Sequence, residues 1–264
     1  MFEFGKNWLN YNRSLNENKI VLAQKSLQDF FGINSFKNKK LLDAGSGSGL
    51  FSLAARNLGA EVVSFDVDAE SVVCTKSIKN KFYPRDTQWK IVKGSLLNSR
   101  FINSLGTFDY VYCWGVAHHT GNMITALENL VPLCNIKGYV YLAIYNDQRG
   151  ASIRWRKIKY LYNRLPTILK PIYASLFIIY FESISFIQFI KILWVTKSVV
   201  SWKNYSRGMN RWNDYIDWIG GYPFEVAKPE VIFDFYRARN FELIKIKTCG
   251  GSLGNNEYLF KKKK

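Results

Sequence analysis

"LLDAGSGSGL", residues 41–50, runs from an apolar strand-like segment into Asp43, passes Gly45, Gly47 and Gly49, and hands over to the helix-like "FSLAARNLG". A strand that ends in glycines and opens a helix sets backbone N–H groups and the positive end of a helix against a ligand, and the missing side chains let that ligand come close. The spacing discriminates between ligands. Glycine at every second position is neither the GxGxxG of dinucleotide pyrophosphate sites nor the GxxxxGK[ST] that cradles nucleoside triphosphates. The next strand-like run, "EVVSFDVD", brings Asp66 twenty-three residues after Asp43, where a carboxylate reaches the ribose hydroxyls of a bound nucleoside. A nucleoside without phosphates fits both observations.

Outward from this stretch, strand-like and helix-like runs alternate: "KLLDAG", "LFSLAARNLG", "EVVSFDVD", "AESVVCTKSIKNKF", "WKIVKGS", "FDYVYCWG", "NMITALENLVPL", "GYVYLAIYN". Such alternation predicts parallel strands joined by crossover helices. Gly59 closes the first of these helices, Asp68 caps the second, and Gly138 restarts the chain before a strand. Residues 14–31 predict a leading helix, with Leu15, Ile20, Leu22, Ala23, Leu27, Phe30 and Phe31 at helical spacing and Gly32 as its stop. After Tyr145 the alternation fails until about Pro223, and the stretch reads as short helices broken by Pro166, Pro171, Gly208, Gly220 and Gly221. A helix in "KPEVIFDFYRARN" and strands in "FELIKIKTC" and "NEYLFKK" then resume the sheet.

The expected fold is α/β: a Rossmann-like, doubly wound, mostly parallel seven-stranded sheet with a helical insertion after the fifth strand. Residues 1–39 form a helical cap, 40–149 and 224–264 the core, and 150–223 a lid over the substrate. A chain of 264 residues, 48% of them hydrophobic, buries about 70–75% of its unfolded surface and needs no disulfide. Cys74, Cys113, Cys134 and Cys249 form no CxxC pair, and "MFEFGKNWLNYNRS" has no signal-like apolar core. The expectation is a reduced, cytoplasmic setting.

At this point the sequence resembles the class I S-adenosylmethionine-dependent methyltransferases. "LDAGSGSG" is similar to their first motif and "FDVD" to their second, while "KGSLL" (93–97) and "FDYVYCWGVAHHT" (108–120) are similar to their third and fourth strand ends. The resemblance is nearest to the small-molecule branch that includes ubiquinone-type and sugar O-methyltransferases. It implies S-adenosyl-L-methionine as cofactor, with Gly45, Ser46 and Gly47 behind the methionine portion, Asp66 on the ribose, and Asp43 ordering the loop and the methionine amino group. Val67, Leu96 and Trp114 complete the implied cofactor site. Ser95 stands where many family members carry an acidic residue against the adenine amino group.

Transfer to a hydroxyl needs alignment, exclusion of water and a base near neutrality. The chain has two histidines, His118 and His119, both just past the fourth strand. In an extended segment neighbours point to opposite sides, so one of them faces the cleft, and His118 is the preferred base. Tyr145 and Asn146 at the fifth strand end, Tyr222 and Glu225 in "GGYPFEVAKPE", and Asn255 and Asn256 in the closing Gly-rich connection are the candidate acceptor contacts. No carboxylate set for a metal is evident. Phe4, Trp8 and Tyr11 are placed to close over the cofactor, with the first helix packed at its mouth.

In the insertion, "SIRWRKIKYLYNRLP" predicts a helix capped by Ser152 with an apolar stripe of Ile153, Ile158, Leu161 and Leu165. "PIYASLFIIYFESISFIQFI" (171–190) carries one charge, Glu182. It reads as lid helices, a homodimer contact or a segment lying on the inner membrane face rather than a span. The expected activity is O-methylation of a polar or sugar-like metabolite. The net charge of +17 keeps RNA methylation as an alternative, but "CWGVAHH" replaces the [DN]PP[YF] of amino-group methylation and no Pro-Cys pair serves cytosine chemistry. A membrane-associated enzyme acting on a quinone precursor is the other alternative.

Overall fold

The computed structural model describes Gly5, Trp8, Asn12 and residues 15–180, 182–183 and 211–263. Phe4, Tyr11 and most of the apolar run beyond Tyr180 lie outside the described residues, together with the expectations placed on them. In chain order come α1 (Glu17–Phe31), β1 (Lys40–Ala44), α2 (Leu50–Asn57), β2 (Glu61–Asp66), α3 (Ala69–Phe82), β3 (Trp89–Lys93), α4 (Ser99–Ser104) and β4 (Phe108–Trp114). A 3-10 turn (Ala117–His119), α5 (Met123–Leu130) and β5 (Cys134–Tyr145) follow. The insertion after β5 supplies α6 (Gly150–Arg164), α7 (170–180) and α8 (Arg211–Gly220), and the chain closes with α9 (Pro229–Arg237), β6 (Phe241–Lys247) and β7 (Asn255–Lys262).

Among the described residues the strands form one seven-stranded sheet in the order β3-β2-β1-β4-β5-β7-β6. The first five run parallel, and β7 lies antiparallel between β5 and β6. Strand order reverses between β1 and β4, which opens a crevice at their carboxyl ends. Local chemistry sets the element ends. Asn16 accepts the Lys19 N–H to start α1, and Gly32 at φ 69° stops it. Asp68 accepts the Glu70 N–H at the head of α3, and Pro229 occupies the first turn of α9.

Two expectations about the sheet and first helix need correction. Gly138 does not begin β5: pairing starts with Phe108 opposite Cys134 and resumes with Tyr110 opposite Tyr139, so 135–138 bulge out of the ladder. A Cβ at Gly138 would lie 2.9 Å from the carbonyl oxygens of Asn135 and Asp109, which accounts for the glycine. Helix α1 does not cover the cofactor mouth. It packs on the sheet, with Phe30 stacked on Tyr141 at 3.8 Å and Phe31 edge-on to Tyr110 and Phe36. Leu22, expected inside, is 63% exposed.

The sheet is covered on both faces. One apolar cluster joins α1 and α2 to Leu41, Val62, Trp89 and Tyr141, and the other joins α5 and α9 to Val111, Val140, Tyr258 and Phe260. Each large side chain taken from water contributes about 1.5–3 kcal/mol, so buried Trp89, Leu53 and Ile232 anchor the frame that holds the strand ends.

The insertion corrects a third expectation. The buried face of α6 is Ser152, Trp155, Lys159 and Tyr162, whereas Ile153 and Leu161 are exposed. Both sets have helical spacing, and the larger rings win because Trp155 meets Trp218 of α8 and Phe177 of α7, while Tyr162 meets Tyr173. Ser152 does not cap α6. Arg149 occupies that position, and the buried Ser152 hydroxyl accepts the Gln148 N–H at 2.7 Å. Among the described residues no helix is long and apolar enough to cross a membrane.

Candidate active site

The turn from β1 into α2 owes its shape to left-handed backbone at Gly45 (φ 85°) and Gly49 (φ 82°). A Cβ on Gly45 would lie 2.4 Å from Val116, and one on Gly49 would lie 2.8 Å from the Thr75 backbone. Four N–H groups of this turn are taken within the protein rather than left for a ligand, contrary to expectation. Gly45 and Ser46 donate to the Phe65 carbonyl at 2.8 and 3.0 Å, Gly47 donates to Asp66 Oδ2 at 2.9 Å, and Gly49 to the Ser46 carbonyl. The turn serves a ligand by its bareness and shape, with its donors tying it to the end of β2.

Asp66 therefore does two jobs. One carboxylate oxygen holds Gly47, the other accepts the Asp68 N–H at 2.9 Å, and the side chain still lines a cleft of about 360 Å³. Burial pushes its pKa up, against the hydrogen bonds from Asp68 and Gly47. Trp8 closes the same corner: a Cβ on Gly47 would come within 3.1 Å of its ring, and nearby Gly5 donates to Asp68 Oδ2 at 2.8 Å.

Asp43 sits beneath the turn, 2% exposed and outside the cleft wall. The Trp89 indole N–H donates to Ser64 Oγ (2.9 Å), the Ser64 and Ser52 hydroxyls lie 2.7 Å apart, and Ser52 donates to Asp43 Oδ2 (2.5 Å). Since the Ser52 proton goes to Asp43, the shared contact is donated by Ser64, and every donor in the chain points at the carboxyl. Burial still raises Asp43 to about 7, with the Ser52 hydrogen bond opposing it and the charge of Asp66 adding to it.

Of the other sequence-predicted cofactor residues, Val67, Ser95, Leu96 and Trp114 line the cleft with Gly45 and Gly47. Ser46 does not; its hydroxyl pairs with Thr75 Oγ1 at 2.9 Å behind the turn. Gly115, at φ 75°, was missed. It lines the cleft, and a Cβ there meets no protein atom within 4 Å, so that side chain would project into the ligand space.

The histidines lie in a 3-10 turn rather than an extended segment, which reverses the preference between them. His118 is fully buried, its Nδ1 accepts the Tyr145 N–H at 3.3 Å, and its Nε2 has no hydrogen-bond partner. His119 lines the cleft. Its Nδ1 lies 2.8 Å from the Pro223 carbonyl. A carbonyl only accepts, so Nδ1 carries the proton and Nε2 holds the lone pair. Burial pushes His119 down to about 3, with the charge of Lys159 adding to it and the Pro223 bond opposing it. His118 is driven well below the usual range, first by burial and then by His119 and Lys159.

Tyr145 lines the cleft, 4.0 Å between ring centroids from His118. Of the remaining acceptor candidates only Asn255 reaches the cleft. Asn146 and Asn256 pair with each other at 3.0 Å, and Asn255 takes the place in the wall, its Oδ1 buried without a partner. The Glu225 carboxylate accepts the Met123 N–H at the head of α5 (3.0 and 3.2 Å). Tyr222 packs its ring on Tyr160. Strand alternation explains why Asn255 and not Asn256 faces the cleft: adjacent residues of β7 face opposite sides of the sheet. Trp218 and Thr120 also line the cleft and went unnoticed. Trp218 is far away in sequence, and only the packing of α8 against α6 delivers it.

Among the described residues no group of three or more His, Cys, Asp or Glu is placed to hold a metal ion. What the site does hold is a bare glycine turn, a carboxylate one strand over, aromatic walls and a neutral imidazole. A family model described as "Methyltransferase domain" matches residues 15–173. The chain belongs to this methyltransferase family. Among the curated relatives, a ribosomal protein L11 methyltransferase of Prochlorococcus marinus (strain AS9601) is 30% identical over 163 residues, covering 56% of this chain and 52% of the relative. A ubiquinone biosynthesis O-methyltransferase of Glaesserella parasuis serovar 5 (strain SH0165) is 24% identical over 113 residues, 43% of this chain and 48% of the relative. The methyltransferase spans about half the length of the curated relatives it matches. The crystal structure of magnesium protoporphyrin IX methyltransferase (ChlM) from Synechocystis PCC 6803 with bound SAH shares the fold. Its TM-score is 0.53 at 14% identity, over 94% of this chain and 88% of that one.

The methyltransferase uses S-adenosyl-L-methionine, and the residues present fit it. Asp66 offers acceptor oxygen at the cleft wall, Gly45, Gly47 and Gly115 leave the wall without side chains, and Trp8, Leu96 and Trp114 supply apolar cover. When bound, the cofactor supplies an electrophilic methyl group on a sulfonium. Asp66 would hold the nucleoside and Trp8 and Trp114 would screen it from water, while His119 and Tyr145 line the same cleft.

Proposed function

We propose that this methyltransferase methylates a hydroxyl of a small polar or sugar-like acceptor, with His119 as the base. The single observation that carries the reading is the tautomer of His119. Its Nδ1 proton is committed to Pro223, and the ring lines the cleft beside Tyr145 and Thr120. A neutral imidazole with its lone pair on Nε2, held at about 3, is a weak base, short of the near-neutral base expected from the sequence, yet it suffices to take the proton as the methyl group arrives, because the oxygen then becomes a strongly acidic oxonium. Tyr145 and Trp218 give the CH face of a ring an aromatic surface, and Asn255 and Thr120 offer polar contact. Trp218, on α8, closes this end of the cleft, and the ubiquinone biosynthesis relative is an O-methyltransferase, the same kind of activity.

The test is incubation with methyl-labelled cofactor and a metabolite extract, followed by mass spectrometry of labelled products. A labelled methyl ether on a small molecule, absent with His119→Ala, is the expected result. Label confined to a protein band, as the name of the Prochlorococcus relative would suggest, or to RNA would overturn the reading.

A further inference from the structure

The lid has an inner face with an evident purpose and an outer face without one. On α7 the inner side is buried Ala174 with Tyr173 and Phe177, which pack on Tyr162, Trp155 and Ile219. On the outer side, Ile172, Leu176 and Ile179 are 62–63% exposed, and Ile168, on the preceding turn, is 80% exposed. These four fall at i, i+4, i+8 and i+11, one continuous stripe. On α6 the outer side adds exposed Ile153 and Leu161, interleaved with exposed Arg154, Lys157 and Arg164. Singly exposed apolar residues are ordinary, but a stripe repeated along one helical face marks a contact surface.

Charge selects the occupant. Residues 148–181 hold seven Lys and Arg and no Asp or Glu. A second copy of a chain with net charge +17 would bring the same basic surface against this one. An apolar stripe edged by cations instead matches an anionic lipid surface: isoleucine and leucine enter the acyl boundary while the basic heads stay at the phosphates. We propose that the outer face of α6 and α7 docks the methyltransferase on an anionic membrane surface. The docking does not depend on which hydroxyl is methylated.

The test is co-sedimentation of the full chain with phosphatidylcholine vesicles, with and without an equal part of phosphatidylglycerol. The wild type should partition onto the anionic vesicles at least about tenfold better than onto the neutral ones, and high salt should weaken the binding. Two variants act on exposed positions away from the cofactor: combined Ile172→Glu, Leu176→Glu and Ile179→Glu, and combined Arg154→Glu and Lys157→Glu. Each should lower partition at least about tenfold, while stabilisation by adenosylhomocysteine is unchanged and so reports an intact fold. If the apolar variant does not fold, the charge variant decides. Equal binding to both vesicle types, wild-type binding by either folded variant, or a glutamate variant that turns a lipid-free dimer into a monomer would overturn the proposal.

Discussion

At the scale of single residues, the two histidines separate cleanly. His119→Ala is expected to lower kcat by about 100-fold or more with cofactor affinity unchanged by calorimetry. His118→Ala, which removes a fully buried ring packed on Tyr145, is expected to act first on Tm. Because His119 is held at about 3, it is neutral across the physiological range, so kcat at saturating cofactor shows no limb near the usual histidine value of about 6.5. Asp43 behaves differently. Its folded pKa is raised to about 7, so it is protonated below that value in the free enzyme and becomes an anion above it. A cationic cofactor favours the anion, so kcat/KM for S-adenosyl-L-methionine should rise through about pH 7 and binding should release protons there. Calorimetry in buffers of different ionisation enthalpy reads this directly, and zero proton release near neutrality would count against it. A pair of glycines offers a further contrast. Gly45→Ala puts a Cβ 2.4 Å from Val116 at φ 85° and should cost about 1–3 kcal/mol of stability or more. Gly115→Ala meets no protein atom within 4 Å, and its main effect should be weaker binding in the cleft, measured as a raised Kd.

At the scale of elements, Lys159 joins α6 to the cleft wall. It is fully buried on α6, donates to the Trp218 carbonyl of α8, and lies over the rings of Trp218 (4.1 Å), Phe224 (4.8 Å) and Tyr145 (6.0 Å). Two of those rings line the cleft. Lys159→Met keeps the stem but leaves the Trp218 carbonyl without that donor, at a cost of about 1–3 kcal/mol. On the proposed reading Trp218 bounds the acceptor end, so the acceptor KM should rise while the cofactor Kd stays put, a split that a purely global loss of stability would not give. The buried lysine also shows why pattern alone misread α6. Hydropathy favours the isoleucine and leucine stripe, and nothing within the helix announces that Trp155, Lys159 and Tyr162 have partners waiting on α7 and α8.

At the scale of the whole molecule, the cleft that would take the cofactor is lined from the ends of β1, β2 and β4 and by Trp8, so ligand binding draws on the entire frame. Adenosylhomocysteine at about 100 times its Kd should stabilise the protein by about 2.7 kcal/mol, seen as a raised Tm, whereas NAD at the same concentration should leave Tm unmoved. The reverse result would remove the nucleoside reading of the glycine turn. The parallel order β3-β2-β1-β4-β5 with β7 inserted beside β5 also explains how Asn255, near the end of the chain, reaches a cleft begun at residue 43.

The sequence by itself determined what depends on near neighbours: the alternation of strands and helices, the Asp68 and Gly32 ends, the glycine turn after Asp43, and Asp66 at the end of the next strand. Each follows from backbone freedom, capping or side-chain period within a few residues. Only the tertiary structure decided that His119 rather than His118 meets the cleft, that of Asn255 and Asn256 only the first reaches it, that Glu225 holds a helix start, and that Trp218 lines the cleft with Lys159 behind it. Those outcomes depend on which faces of separately formed elements come to bury one another, a choice made by packing across the fold that no local pattern encodes.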